Sequence, residues 1–112
     1  MAKQILRRYQ ITRFEPHRMP LPMGAEVLHA DYELDGELYL YTRENVGQAM
    51  FPRPIAVMRM GQELPFGSWW RYVSTATNGD GEVFHVFEST TDGLNENLPL
   101  VGDQRSSERT WV

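Results

Sequence analysis

The residues best suited to chemistry are two arginines that stand beside aromatic side chains in the second half of the chain. Arg59 and Arg71 each occur among apolar residues, and Trp69, Trp70 and Tyr72 flank the second of them. A guanidinium group forms paired hydrogen bonds with phosphate, and an aromatic ring offers a stacking surface for a base. The combination predicts a nucleotide-binding site with these candidate residues: Arg59, Arg71, Trp69, Trp70, Tyr72 and His85.

A structural alternative accounts for the same side chains. An arginine on the face of a β-strand is costly to bury without a partner. Arg59 and Arg71 would then pair across strands with one of three acids, Glu63, Glu82 or Glu88. The two tryptophans would simply fill the core. Both interpretations stay open on the sequence alone.

Other kinds of site have little support. His17, His29 and His85 lie in separate segments, and the spacing of His85 and Glu88 puts them on opposite faces of a strand. There is no cysteine, and no serine lies in a Gly-x-Ser-x-Gly turn. The acids of the segment Asp31–Glu37 alternate as they do on a solvated face that protects an edge. We therefore predict a non-enzymatic protein with no metal and no cofactor.

β-Strands must position these side chains, and the clearest strand signal is the segment Gly24–Thr42. Its first half alternates, which puts Leu28 and Ala30 on one face and Val27 on the other. Asp35-Gly36 suits a type I′ turn, whose two central residues both need a positive φ. The segment therefore predicts an antiparallel hairpin with one apolar face.

Further strands are predicted on both sides of this hairpin, at Gln4–Tyr9, Arg18–Leu21, Ile55–Met60, Trp69–Thr77 and Glu82–Glu88. The prolines around the second of them restrict it to a short or edge strand. Gly47, Pro52 and Pro54 predict a loop over Glu44–Pro54. The fold class is therefore all-β, a small antiparallel β-sandwich or part-open barrel of about six or seven strands. Residues 1–88 form the β domain, and residues 89–112 form a polar C-terminal tail or arm.

Composition limits the environment and the partners. A chain of 112 residues makes one small domain with a modest core, and such domains often associate into homo-oligomers. It has neither a signal-peptide pattern nor an apolar run of transmembrane length, so we expect a cytoplasmic protein that does not bind a membrane. A formal net charge of −4 argues against nucleic acid as a partner.

Several short motifs occur in a fixed order along the chain: Ile5-Leu6 with Tyr9, Met19-Pro20 before Gly24–Leu28, the Asp35-Gly36 turn, the basic strand after Arg53, and Val83–Glu88. In these motifs, over roughly Gln4–Glu88, the sequence resembles a family of short bacteriophage and prophage proteins of unknown function. The resemblance implies a small, β-rich phage protein that acts in the host cell and has no assigned catalytic residues.

Two functional hypotheses follow. The first is a phage counter-defence protein that sequesters a host nucleotide signal, without cleaving it, in a pocket where subunits of a homo-oligomer meet. The second is a structural or protein-interaction module that binds a host or phage protein through its edge strands and the arm Ser89–Val112.

Overall fold

The computed structural model describes residues 3–64 and 70–89, and these residues form seven strands and no helix. The strands are β1 (Gln4–Ile11), β2 (His17–Pro22), β3 (Glu26–Tyr32), β4 (Leu38–Asn45), β5 (Met50–Met58), β6 (Trp70–Thr77) and β7 (Val83–Ser89). They build two antiparallel sheets with the strand orders β1-β4-β3 and β2-β5-β7-β6. The prediction of an all-β fold with six or seven strands is confirmed.

The core lies between the two sheets and is made by alternate residues of their facing strands. Its largest fully buried apolar side chains come from both sheets: Ile11, Met19, Leu21, Leu38, Leu40, Ile55 and Val86. The predicted inward face of β4 is confirmed, because Leu38 and Leu40 lie in this core.

The predicted hairpin is present as β3 and β4, but its turn is of another type. The amide of Gly36 donates to the carbonyl of Glu33 at 2.9 Å, and Gly36 has a φ of 82°. No residue other than glycine has a positive φ among the described residues, so Asp35 does not adopt the conformation that a type I′ turn requires. The loop Leu34–Gly36 is instead a three-residue turn that ends on a left-handed glycine. Asn78–Glu82 repeats this turn between β6 and β7, with Gly81 at a φ of 81°.

A β-bulge corrects the predicted face of β3. The register of β3 against β4 shifts between Val27 and His29. Because the extra residue inverts the alternation, Val27 and Ala30 are both buried while Leu28 is 42% exposed. A simple period of two, which placed Leu28 in the core and Val27 outside, was therefore wrong at this point.

The predicted loop over residues 44–54 is present only at residues 46–49 and was wrong for the residues on either side. β4 continues to Asn45, and β5 begins at Met50 and pairs with β2. Pro20 lies directly opposite Pro52 in this ladder, and neither residue has an amide hydrogen to donate. At every second pair of an antiparallel ladder, the backbone N–H and C=O groups of both residues point away from the partner strand. Pro20 and Pro52 must form such a pair, so no hydrogen bond between β2 and β5 is lost there. Within the part of the chain that the structure describes, β7 pairs with β5 only from Ile55 onward, so Pro52 interrupts no ladder hydrogen bond on that side either.

β2 is an edge strand, as its prolines predicted. The opposite edge of the same sheet, β6, meets β3 of the other sheet. There the hydroxyl of Ser74 accepts a hydrogen bond from the Ala30 amide at 2.9 Å and donates one to the Ala30 carbonyl at 2.7 Å. β6 has its own bulge between Tyr72 and Ser74, which turns the Ser74 side chain toward β3. The two sheets are therefore joined along one side, as in a part-open barrel.

The remaining predictions about chain organisation fall partly outside the described residues. β7 extends one residue further than predicted, through Ser89. Residues 90–112 of the tail predicted over residues 89–112, and the candidate Trp69, lie outside the described residues. Within the described ranges, no helix has the length and apolar character needed to cross a membrane.

Candidate functional site

Arg71, one of the predicted ligand-binding residues, is part of an ion cluster between the sheets. Its Nε and Nη2 atoms donate to Oε1 of Glu88 at 2.9 and 2.6 Å, and Nη2 also donates to the Val27 carbonyl at 3.0 Å. Glu88 is 2% exposed, and its Oε2 atom accepts from Nη1 of Arg53 at 3.0 Å. The pairing that the structural alternative predicted is the one observed, so Arg71 already has a carboxylate partner.

Tyr72 and His85 lie together elsewhere, on the outer face of the four-stranded sheet. The Tyr72 ring packs edge-on against Phe87 with centroids 5.8 Å apart. Oγ1 of Thr75 lies 2.5 Å from the Tyr72 hydroxyl and 3.0 Å from Nδ1 of His85. The strand register places Trp70 on the same face, opposite Ser89. This outer aromatic patch has no arginine from β6, because the side chain of Arg71 points to the other face.

Arg59 is not in mid-strand as predicted, since β5 ends at Met58. Its Nη2 atom donates to Oε2 of Glu82 at 2.7 Å, and its guanidinium carbon lies 5.1 Å from the centroid of the Phe84 ring. The side chain of Gln62 accepts a hydrogen bond from the Arg59 amide at 2.7 Å. The backbone after β5 therefore directs Arg59 across the end of the sheet.

A cleft opens beside Arg59, and we call it the Phe84 cleft. Its volume is about 740 Å³, and its described lining comes from the β1–β2 link, the end of β5 with the turn that follows, and β7: Thr12, Arg13, Phe14, Glu15, Pro16, Val57, Met58, Arg59, Gln62, Glu63 and Phe84. Phe14 is 37% exposed and meets Phe84 edge to face, with centroids 5.0 Å apart. A second recess of about 440 Å³ shares Phe14, Arg59 and Phe84 and reaches the loop of the β6–β7 hairpin. The rings of Phe14 and Phe84 and the guanidinium group of Arg59 therefore line both the cleft and the second recess.

The charges of the Phe84 cleft are balanced. Two arginines and two glutamates line it, and Arg13 pairs with Glu15 at 2.8 Å through its Nε atom. The hydrogen bond from Arg13 lowers the pKa of the Glu15 carboxyl below its usual value, so Glu15 is ionised at neutral pH. The cleft therefore presents bound ion pairs rather than bare cations.

Of the five predicted residues that the structure describes, only one lines this cleft. Arg59 lies there; Arg71, Tyr72, His85 and Trp70 do not, and Trp69 is outside the described residues. The sequence analysis missed Phe14 and Arg13, which lie in the link between β1 and β2. The alternation of charged and apolar side chains at Arg13, Phe14 and Glu15 was only a weak indication of a site, because the neighbouring residues do not continue it as a strand.

Acids of the first sheet form a separate polar surface. Arg8 lies over the Tyr39 ring at 4.4 Å and pairs with Glu33, whose other oxygen accepts from the Tyr41 hydroxyl at 2.5 Å. A hydrogen bond from Tyr39 lowers the pKa of Asp35. These acids are bound to neighbours on the strand face. Across the described residues, no group of three or more His, Cys, Asp or Glu side chains is arranged to hold a metal ion.

Comparison with known proteins gives one match. A family model described as "Domain of unknown function (DUF7352)" matches residues 1–96. The chain belongs to this family. The matched range includes all seven strands and every described residue of the Phe84 cleft. Searches of curated proteins and of solved structures found no match.

Proposed function

We propose that this DUF7352 protein is a non-enzymatic binding protein that holds a small anionic ligand with a planar ring, such as a nucleotide, in the Phe84 cleft. The observation that carries the proposal is the position of the Arg59 guanidinium over the Phe84 ring at the mouth of an open cleft. Phe14 adds an exposed ring on which a base can stack. Arg59 supplies hydrogen-bond donors for a phosphate.

The lining of the cleft supports binding rather than turnover. Its described residues include no His, Ser or Cys, and Thr12 provides the one hydroxyl group among them. A nucleophile with an adjacent base is the usual requirement for covalent catalysis. A ligand bound here is expected to leave unchanged.

We further propose that the ligand is a nucleotide signal of a bacterial host and that the protein is a phage counter-defence protein acting in the host cytoplasm. The resemblance to phage and prophage proteins supports this role. The Phe84 cleft is formed within one chain, so this site needs no second subunit, in contrast to the interface pocket expected from the sequence. Homo-oligomerisation remains a separate prediction.

Thermal melting with a panel of nucleotides tests the proposal. We expect one or more compounds, from cyclic di- and trinucleotides and ADP-ribose derivatives, to raise the melting temperature by several degrees and to be recovered intact after denaturation. Arg59→Gln and Phe14→Ala should remove the shift. Arg43→Gln is the matched control, because Arg43 is also exposed and pairs with one acid, Glu26, on the first sheet. Flat curves across the panel, or a shift that Arg59→Gln leaves intact, would refute the proposed site.

A second candidate function is a protein-interaction module. It is favoured by exposed apolar side chains at the end of the β2–β5 ladder away from the Phe84 cleft: Met23, Val46, Met50 and Phe51. Phe51→Ser should then abolish binding to a host or phage protein while Arg59→Gln leaves it unchanged. The reverse pattern would exclude this candidate.

A further inference from the structure

Both arginines of the Phe84 cleft already hold a carboxylate. Arg59 pairs with Glu82 at 2.7 Å, and Arg13 pairs with Glu15 at 2.8 Å. All four side chains are more than two-fifths exposed. Such exposed ion pairs contribute little stability, because water and salt screen them. The carboxylates can therefore be exchanged for anionic groups of a ligand at small cost to the fold.

A second hydrogen bond helps to position each acid, at the carboxylate of Glu82 and at the backbone of Glu15. Oε1 of Glu82 accepts a hydrogen bond from Nδ2 of Asn78 at 3.0 Å. The carbonyl of Glu15 accepts one from Nδ1 of the buried His17 at 2.8 Å, which fixes the backbone of the β1–β2 link. Both acids thus act as competitors for the two guanidinium groups.

Each ion pair involves an arginine that adjoins one ring of the aromatic pair. Arg13 is adjacent in sequence to Phe14, whose ring meets Phe84, and Arg59 lies over Phe84. Both arginines line the same cleft. A ligand that replaces only one carboxylate exchanges one ion pair for another and gains little. A ligand that replaces both carboxylates forms two charge-assisted contacts with the arginines. It loses its translational freedom only once on binding, so the second contact adds affinity without a second entropic cost.

We propose that the ligand of the Phe84 cleft carries two anionic groups, as in a diphosphate or a dinucleotide, which displace Glu82 from Arg59 and Glu15 from Arg13. The two acids set a threshold that excludes ligands with a single anionic group. This inference rests on the proposed function and specifies its ligand class. It also predicts that removal of the Glu82 or Glu15 carboxylate strengthens ligand binding.

Isothermal titration with ADP-ribose, ADP and AMP tests the inference, because all three share adenosine. ADP adds a second phosphate to AMP, and ADP-ribose adds a terminal ribose to ADP. ADP should bind as ADP-ribose does. ADP-ribose should bind at least tenfold more tightly than AMP. Glu82→Gln and Glu15→Gln should each tighten ADP-ribose binding about threefold to tenfold, since each replaces a competing ion with a neutral amide. Arg13→Gln should weaken it at least tenfold, toward the affinity of AMP. Glu26→Gln, which removes an equally exposed acid paired with Arg43, should leave the affinity unchanged.

The outcomes separate this inference from the proposed function. If ADP-ribose or ADP binds no more tightly than AMP, or if Glu82→Gln and Glu15→Gln leave ADP-ribose binding unchanged or weaken it, the inference is wrong and the binding function stands. If none of the three compounds binds the wild type or the Glu15→Gln/Glu82→Gln double variant, both are wrong for adenine nucleotides. Melting curves without ligand confirm that each variant is folded.

Discussion

At the scale of single residues, the ion cluster around Glu88 differs from the ion pairs of the Phe84 cleft in its burial. Glu88 is buried between Arg53 and Arg71, and both arginines also bind carbonyls at the start of β3. Replacement of Glu88 by Gln leaves the two guanidinium groups without a counter-charge and turns one of the two acceptor oxygens into a donor. We expect Glu88→Gln to lower the free energy of unfolding by about 3 kcal/mol.

Chemical denaturation measures this loss, and Glu26→Gln is the matched control. Glu26 also pairs with an arginine, Arg43, but both side chains are about half exposed. The control should change the free energy of unfolding by less than about 1 kcal/mol. Equal effects of the two substitutions would contradict a structural role for the buried cluster.

His17 predicts a pH dependence of stability. Its side chain is fully buried, Nδ1 donates to the Glu15 carbonyl, and Nε2 has no hydrogen-bond partner among the described residues. Burial lowers the pKa of His17 in the folded state, so the unfolded chain takes up a proton first as the pH falls. The stabilising contribution of neutral His17 is complete above the unfolded pKa of about 6.5 and is lost progressively as the pH falls from there toward the folded pKa.

Urea denaturation of the wild type and His17→Gln at pH 7.5 and 5.5 tests this prediction. The wild type should lose more stability than the variant over this interval, since only the wild type has a proton to gain at position 17. Parallel losses would show that other groups account for the pH dependence.

The candidate site could be predicted from the sequence only in part. Bulges, strand ends and links determine the direction of its side chains, and these features have no simple sequence pattern. Arg59 was found because an arginine among apolar residues needs a partner. Arg71 satisfied the same criterion, but the register of β6 turns it toward Glu88. Phe14 had no signal of this kind, since its role depends on a link that meets Phe84 only after the sheets pack.

At the scale of elements, the β6–β7 turn offers two glycines with opposite requirements. Gly81 has a φ of 81°, whereas Gly79 has no positive φ, and neither would bring a new Cβ atom within 4 Å of another group. Gly81→Ala should therefore lower the free energy of unfolding by about 1–2 kcal/mol through backbone strain alone. Gly79→Ala should leave it unchanged or raise it by about 0.5 kcal/mol, because it restricts the unfolded chain. Thermal melting of both variants checks the contrast, and equal effects of the two substitutions would contradict the positive φ of Gly81.

Ser74 provides the hydrogen bonds that join β6 to β3. In Ser74→Ala, the amide and the carbonyl of the buried Ala30 both lose their partner, so we expect a loss of about 2–4 kcal/mol. Thr77→Val, at an exposed position on the same strand, should change stability by less than about 0.5 kcal/mol. Hydrogen exchange at the Ala30 amide should accelerate in Ser74→Ala while the β1–β4 ladder stays protected. Uniform acceleration in both sheets would instead indicate global unfolding.

Element types were more predictable than their details. Alternation and turn residues identified the β3–β4 and β6–β7 hairpins, because these signals are local. The bulges at Val27 and Tyr72 were not predictable, since they serve contacts between sheets that are distant in sequence. Pro52 indicated a loop for a valid reason, the missing donor, but β7 does not reach that part of β5.

At the scale of the whole molecule, the described strands and links create the Phe84 cleft within one chain. A ligand should therefore bind with a stoichiometry of one per chain, whatever the oligomeric state. The ligand-induced rise in melting temperature should also be independent of protein concentration when free ligand is in excess. Titration and melting at two protein concentrations tenfold apart test this. A stoichiometry of one ligand per two chains would place the site between subunits.

The prolines of β2 have a consequence for the behaviour of the protein at high abundance. Pro20 and Pro22 lie at positions where an amide hydrogen would otherwise point outward from the sheet. Another chain cannot form a regular ladder along this edge, and a fibre cannot grow from it by strand addition. The proposed function requires at least one binding site for each ligand molecule that is to be held. Because the β2 edge cannot pair with other copies of the chain, it removes one route to fibres at such numbers.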